Sequence, residues 1–224
     1  MPTKYSDYPT ADGYCYSVSS SNWTTARDAT SANSVSSGGT SAVSSVSSAQ
    51  NPTRGGGSSW RIRRSFFKFD TSEISVAPSA ATLKVYGSVG SLTSGDIMAV
   101  KSTHSDTLAV ADVDAITGWI AGADNEGNVT KYSAEITTWS SSAYNDIALT
   151  SAALSDMASL NLFKVCLIEY DYDLTNNEPP RAGGAGAAVG MYFTDSTGTS
   201  KDPYLDYTEA GTVIYDAIFF GHNF

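Results

Sequence analysis

The chain has 224 residues, enough for one large β domain or two small ones, and its 41% apolar and 11% aromatic content excludes a disordered chain. Only 16% of residues are charged, and Ser, Thr and Gly take their place, which suits turns and solvated strand faces better than helix surfaces. The formal charge of −10 argues against nucleic-acid binding, no apolar run approaches the roughly eighteen residues of a membrane span, and "MPTKYSDYPTADGYCY" lacks a positive-then-apolar export signal.

In chain order, residues 1–9 read as an N-terminal arm and "GYCYSV" as a first short strand. Residues 19–59 are dominated by Ser, Thr and Gly and read as loop, with "SAVSSVSS" as a weak edge strand. Strand patterns punctuated by turns follow at 60–69, 80–89, 95–103, 130–137, 144–150, 162–173, 186–194 and 203–208. Two short helices are expected. One lies in "ADVDAITGWIAG" with Asp112 as N-cap, the other in "TSAALSDMASL" with Ser151 capping. No repeat of fixed period is visible. The expected architecture is all-β: a jelly-roll β-sandwich over residues 10–210, with one or two short helices in its connections and a C-terminal appendage over 211–224. Cys15 and Cys166 lie far apart in strand-like contexts and read as buried free thiols. "NWT" and "NVT" match the glycosylation pattern but carry no weight without export.

The stretch "WRIRRSFFKFDTSEI", residues 60–74, holds four of the thirteen cationic residues: Arg61, Arg63, Arg64 and Lys68. With period two, Trp60, Ile62, Arg64, Phe66 and Lys68 face one way, and Arg61, Arg63, Ser65, Phe67 and Phe69 the other. A nucleic-acid reader keeps its cations together; here they split across both faces, and the next segment is acidic. The strand is therefore expected to be structural, with Phe67 and Phe69 in the core and the arginines at a polar end, paired with carboxylates.

This strand also carries a resemblance. "RRSFFKFDTSEISVAPSAATLKVYG" resembles the central stretch of DNRLRE-type β-sandwich domains: an arginine-led aromatic strand, "FDTS", a short loop, then "SAATLKVY". Upstream "DGYCYSVSSSNWTTARDAT" and downstream "YSAEITTWSSSAYNDIALTSAAL" and "DPYLDYT" are similar to the family in order and spacing, so the likeness spans roughly 10–208. Its most specific parts are 63–86 and 202–207, with Arg63, Phe67, Phe69 and Asp70 as the core signature. The resemblance implies a jelly-roll sandwich of the carbohydrate-module type, used mostly as a non-catalytic surface module. "DNEGNVTKYSAEITTWS" and "FKVCLIEYDYDL" look most like virion structural proteins of tailed bacteriophages. The cysteines, "RAGGAGAAVG" and the residues after Ala210 depart from the general domain pattern.

Few constellations point to chemistry. His104 and His222 stand outside any metal-ligand pattern, and no G-x-S-x-G elbow, P-loop or dinucleotide motif is present; no cofactor is expected. In an extended strand, Glu169, Asp171 and Asp173 of "EYDYD" project to one face ~7 Å apart. That row reads as a solvated strand end, as a partner for Arg61, Arg63 and Arg64, or as a Ca²⁺ site. Paired glycosidase carboxylates are a fourth reading. "DNEGN" reads as a turn. Trp23, Trp60, Trp119 and Trp139, with thirteen tyrosines, read either as core and interface residues or as a sugar-stacking platform.

The expected function is that of a non-enzymatic bacteriophage virion protein, a capsid-decoration, fibre or tail component made in the host cytoplasm. Its expected partners are other virion proteins and further copies of itself, with no nucleic acid and no membrane. The alternative is a carbohydrate-binding module for host-surface attachment, with surface glycans as partners. After "PYLDYT" the segment "GTVIYDAIFFGHNF" carries Val213, Ile214, Tyr215, Ile218, Phe219, Phe220 and Phe224. Burying each is worth roughly 1.5–3 kcal/mol, so the segment is expected either to dock into a neighbouring subunit or to close this protein's own sheet.

Overall fold

Leu83 and Val85 alternate with Lys84 and Tyr86, Leu205 with Tyr204 and Asp206, and Ile147 with Asp146: the first of each set is buried and the second faces outward. This period-two pattern makes a sheet with one wet face. A computed structural model describes residues 2–37, 44–92, 96–181, 188–194 and 198–211; the apolar C-terminal residues Ile214, Tyr215, Ile218, Phe219, Phe220 and Phe224 lie outside these. The strands are β1 (Thr3–Tyr5), β2 (Gly13–Ser19), β3 (Ser34–Ser37), β4 (Val46–Pro52), β5 (Ser58–Asp70), β6 (Ala80–Ser91), β7 (Ile97–Lys101), β8 (Tyr144–Ala148), β9 (Leu162–Glu169), β10 (Ala188–Met191) and β11 (Tyr204–Thr208). Their ladders are antiparallel.

The chain is an all-β sandwich. One sheet runs β1–β11–β6–β8. The other is centred on β5, flanked by β2 and β3 on one side and by β4 and β9 on the other, with β7 beyond β9. The second half of β6 joins the two by pairing with β10, which pairs with β4. Between the sheets lies a core that includes Phe67, Phe69, Leu83, Val85, Ile147, Phe163, Val165 and Leu205.

A second core sits on the far face of the β5 sheet. Ile62, Phe66, Cys166, Ile168, Met98 and Val100 point into it, and it is roofed by Trp23, Leu108, Val113, Ile116, Val129 and Leu174 rather than by another sheet. Strand β5 is thus buried on both faces, without a break from Arg64 to Phe69. Cys15 and Cys166 are free, buried thiols.

Several elements differ from expectation. Of the stretch 41–48, expected as an edge, residues 46–48 open β4, which lies inside the sheet between β5 and β10. Small Ser and Ala side chains fit there because both faces are crowded. Residues 130–137 form no strand; they lie against β7 through the bridges Lys131–Val100 and Ile136–Ile97 and through the Tyr132 and Ser133 N–H groups, which both donate to the Ala99 carbonyl, at 2.8 and 3.2 Å. The helix expected over 111–122 is a single tight turn, Val110–Asp114, and Asp112 reaches back to accept the Ala109 N–H at 2.8 Å instead of leading the element. In α2 (Ser151–Ser159) the cap is Thr150, one residue before the serine expected. A further helix, α1 (Trp23–Arg27), opens on Asn22, whose side chain accepts the Thr25 N–H at 2.8 Å.

The arginines do not sit together at a polar end. Arg61 is exposed, Arg63 is half-buried and stacks on Tyr16 at 4.6 Å, and Arg64 is wholly buried in the second core. Of the expected signature, Phe67 and Phe69 are core, whereas Asp70 is exposed and accepts the Ser72 N–H (2.9 Å) and hydroxyl (2.6 Å) in a turn. Lys68 is buried, lies 3.7 Å from the Tyr8 ring and reaches Asp106 at 3.2 Å.

The partner of Arg64 is the equally buried Asp173, 2.7 Å away, and removing one member of a buried pair costs about 3–5 kcal/mol. Asp173→Ala should therefore lower the unfolding free energy by about 3–5 kcal/mol in urea melts, and Arg64→Lys should also be strongly destabilising because an ammonium cannot form the same fork. A loss below about 1 kcal/mol for either would show that the pair carries little of the fold.

Candidate functional site

The run Glu169–Asp173 does not form a row. Strand β9 ends at Glu169, and Tyr170–Leu174 wind into a single wide helical turn. The Glu169 carboxylate causes this, accepting the N–H groups of Asp171 (3.1 Å), Tyr172 (2.9 Å) and Asp173 (2.8 Å). Burial pushes the Glu169 carboxyl up to about 7, against the opposing pull of those N–H groups. Asp171 stays half-buried and accepts the Asp96 N–H at 2.8 Å. The turn swings Asp173 inward onto Arg64.

That contact is bidentate: Arg64 Nε and Nη2 donate to the two Asp173 oxygens at 2.8 and 2.7 Å. Arg64 also donates to the carbonyls of Val113 (2.6 Å) and Arg27 (3.0 Å). Burial pushes its guanidinium down, but the Asp173 charge and hydrogen bonds outweigh that and leave it raised. Arg27 donates to the carbonyls of Asp173 (2.6 Å) and Ala123 (2.8 Å) and to the Asp28 carboxylate (2.6 Å). The two guanidinium groups both lie on Trp119, at 4.4 and 4.1 Å from its ring. Of the readings open for "EYDYD", the geometry places Asp173 as the arginine partner. Its oxygens are committed to protein donors, and among the described residues no three His, Cys, Asp or Glu side chains are grouped to hold a metal ion. EDTA should accordingly leave the melting temperature unchanged; a drop of several degrees restored by Ca²⁺ would contradict this assignment.

Two further buried groups were not singled out by sequence. Asp12, just before β2, accepts the Lys68 N–H (2.9 Å) and the hydroxyls of Ser6 (2.5 Å) and Thr194, so one carboxylate joins four segments of the chain. Burial pushes its carboxyl up to about 7, opposed by those hydrogen bonds and by the Lys68 charge. His104 is packed on Phe66, and burial with the nearby Lys164 charge pushes it down to about 3. Its Nδ1 meets Ser102 Oγ at 2.8 Å, while its Nε2 finds no partner among the described residues. It therefore lacks the orienting carboxylate of a Ser–His–Asp arrangement. His222 lies outside the described residues.

The aromatic residues divide sharply. Trp23 is core, Trp119 is covered by Arg27 and Arg64, and Trp60 donates to Glu178 at 2.7 Å. The tyrosines instead form a surface row, its rings packed largely edge to face. Tyr5, Tyr204, Tyr144, Tyr86 and Tyr192 make a continuous row across the outer face of the β1–β11–β6–β8 sheet, with successive ring centroids at 5.2, 5.1, 5.1 and 5.6 Å. The row follows from strand register: Tyr5 pairs with Tyr204, Tyr204 with Lys84, and Tyr86 with Tyr144, all outward-facing.

Its rings are fixed. Tyr86 donates to the Ser142 carbonyl (2.6 Å), Tyr144 to that of Asp202 (3.1 Å), and Lys201 caps the end, 4.3 Å from the Tyr192 ring and donating to its hydroxyl at 3.1 Å. Alongside Tyr144 lies a groove of about 460 Å³ lined by Ile136, Thr138, Trp139, Ser140, Asn145 and Asp146. Gly87 allows it: a Cβ there would meet the Ser140 carbonyl at 1.9 Å, so only glycine lets that segment lie against β6. The signal for this row was present in the outward positions of "LKVYG", "YNDIA" and "PYLDYT", which alternate with the apolar ones.

No family model matches the chain, and no curated protein matches it. Among the described residues no helix is long and apolar enough to cross a membrane.

The Asp12 carboxyl gives a signed pH dependence. Its folded value lies above the ordinary 3.8, so the folded chain holds that proton more tightly, and stability falls as pH rises from about 4 to about 7. Asp12→Asn keeps the shape without the titration. Measured by urea melts, the stability of the variant relative to the parent should improve across that window and level off above it. A constant difference from pH 4 to 8 would contradict the assignment.

Proposed function

We propose that the chain is a non-enzymatic structural protein of a tailed-bacteriophage virion, a sandwich that decorates the capsid or forms part of a fibre or tail and assembles with other virion proteins and with copies of itself. The observation that carries this reading is the distribution of large apolar side chains. Beyond β11 the sequence places Val213, Ile214, Tyr215, Ile218, Phe219, Phe220 and Phe224 within twelve positions. On the described surface the exposed large apolar residues are only Tyr5, Val76, Val110 and Ile120. A chain that otherwise keeps its apolar groups inside has a use for a concentrated apolar segment, and docking onto a partner is that use.

Two features support the reading. The charges of the β5 strand are largely committed to internal pairs and rings, as suits a rigid building block. The chain also leaves β11 beside a hollow of about 290 Å³ with mixed walls, Glu73, Ile74, Val76, Pro78, Tyr207 and Glu209 among them, next to the start of the segment. The likeness of "DNEGNVTKYSAEITTWS" and "FKVCLIEYDYDL" to virion structural proteins of tailed bacteriophages supplies the class.

Truncation after Ala210 tests it. The shortened protein should keep its melting temperature as a monomer but fail to oligomerise or to attach to particles. Unfolding of the isolated domain, with assembly intact in whatever survives, would overturn the reading.

A further inference from the structure

We propose that β8 is a docking edge: residues 212–220 of a second copy add to it as a further antiparallel strand, with their large apolar side chains seated in the Trp139 groove. This rests on the assembly reading above and names the surface that receives the segment.

The free side of β8 carries a row of open backbone groups. Gly87 donates to the Ala143 carbonyl at 3.0 Å and Leu149 to that of Ala81 at 2.9 Å, which fixes the phase of the β6–β8 ladder. That phase turns the N–H and carbonyl groups of Asn145 and Ile147 towards β6, and those of Tyr144, Asp146 and Ala148 away from it. Among the described residues these outward backbone groups have no hydrogen-bond partner. Folded chains blunt such edges with very short strands, lysines, prolines or a covering segment. The opposite edge of this sheet is blunted: β1 has three residues and carries Lys4, paired with Glu73. By contrast "YNDIA" has five residues, no lysine and no proline.

The space beside that edge has the shape of a strand. The groove of about 460 Å³ along Tyr144–Asp146 continues into one of about 250 Å³ along Asp146–Ala148, so the two follow the whole of β8. The far wall, residues 133–138, is held from behind, because Ile136 exchanges backbone hydrogen bonds with Ile97 at 2.8 and 3.2 Å. Ile136 and Trp139 are half-buried and pack against the core between the sheets. A strand laid here extends that core sideways.

The segment suits the slot. "TVIYDAIFF", residues 212–220, has no Gly or Pro and is rich in β-branched and aromatic residues. Alternation puts Val213, Tyr215 and Phe219 on one side and Ile214, Ile218 and Phe220 on the other. Either phase therefore sends three large apolar side chains inward. Main-chain hydrogen bonds supply the affinity of such an added strand, and side-chain pockets its register.

The donor is a second copy because of where the chain leaves β11. Glu209 and Ala210 line a hollow with Glu73 and Val76, and Glu73 pairs with Lys4 of β1. The exit therefore lies on the β1 side of the sheet, whereas β8 is the other edge. To reach its own β8 edge the segment would double back across β6 and β8, three strand spacings of about 4.8 Å. A neighbouring molecule needs no such detour.

The test is sedimentation velocity on the full chain, on Ala148→Pro and Asp146→Pro, and on Thr3→Pro as the same change at the opposite edge. Each proline removes an N–H that points outward, so the ladders to β6 and β11 stay intact. A full-length variant carrying Ile214→Asp and Phe219→Asp, one on each side of the segment, disables the donor. The parent should self-associate; the two β8 prolines and the donor variant should weaken association about tenfold or more, and Thr3→Pro should leave it unchanged. Amide exchange read by NMR on the parent and the donor variant gives a second readout should a proline variant misfold. The Tyr144, Asp146 and Ala148 amides should be protected in the associated parent and exposed in the donor variant. Association lost in the donor variant but intact in both β8 prolines would overturn this docking edge and leave the assembly reading standing. Association unchanged in the donor variant would overturn both. A monomeric parent with protected β8 amides would show the segment closing its own sheet, and a monomeric parent without them would show no docking; either overturns the proposal.

Discussion

A guanidinium on the inner side of a doubly buried strand is the constraint on which the rest of the second core depends. Arg64 faces the same way as Ile62 and Phe66, into a layer with no opposing sheet. Left alone there, its charge would cost several kcal/mol in desolvation. The structure answers with an acid from one turn, Asp173, and carbonyls from two other segments, Val113 of the turn Val110–Asp114 and Arg27 at the end of α1. Each of these partners is itself fixed: Asp173 by the Glu169 cap, Arg27 by Ala123 and Asp28, and Trp119 by the two cations on its ring. Irregular segments that lack ladders of their own are thereby held in one arrangement. Hydrophobic burial supplies the gross stability of this layer, while the arginine network determines which loop conformation is adopted.

The other side of the molecule follows different physics. Between the two sheets the core is aromatic and aliphatic, with rings such as Tyr132 and Phe163 stacked at 4.9 Å, and it needs no charge. The outer sheet can then devote its solvent face to tyrosines, because every second residue of β6, β8 and β11 already meets the core. The two halves therefore divide labour: one side is organised by a buried ion pair and closed over by loops, and the other is an open, preformed aromatic surface.

The regular part of this architecture was legible in the sequence, because period-two alternation and turn residues reflect local chemistry. Phe67 and Phe69 are core and β6 and β8 begin at the residues that pattern gives them, while the short helix after β8 is capped one residue earlier than expected. What was not legible depended on contacts distant in sequence. Nothing in "WRIRRSFF" says which of three arginines goes inside; that is decided by Asp173, 109 residues away. "EYDYD" alternates like a strand, yet a buried Glu169 that satisfies three successive N–H groups bends it into a turn. The Ser-rich β4 carries little apolar signal because its small side chains are selected by close packing on both sides. The tyrosine row needs cross-strand register as well as alternation, and register is a property of the pairing.

The central claim is that the Arg64–Asp173 pair holds the loop layer over the second core. Amide hydrogen exchange read by mass spectrometry on Asp173→Asn, compared with the parent, tests it most directly. The account predicts that segments 105–129 and 170–178 lose most of their protection, while β6, β8 and β11 in the outer sheet keep theirs. Equal protection of those loops in parent and variant, or a uniform loss across both sheets, would contradict it.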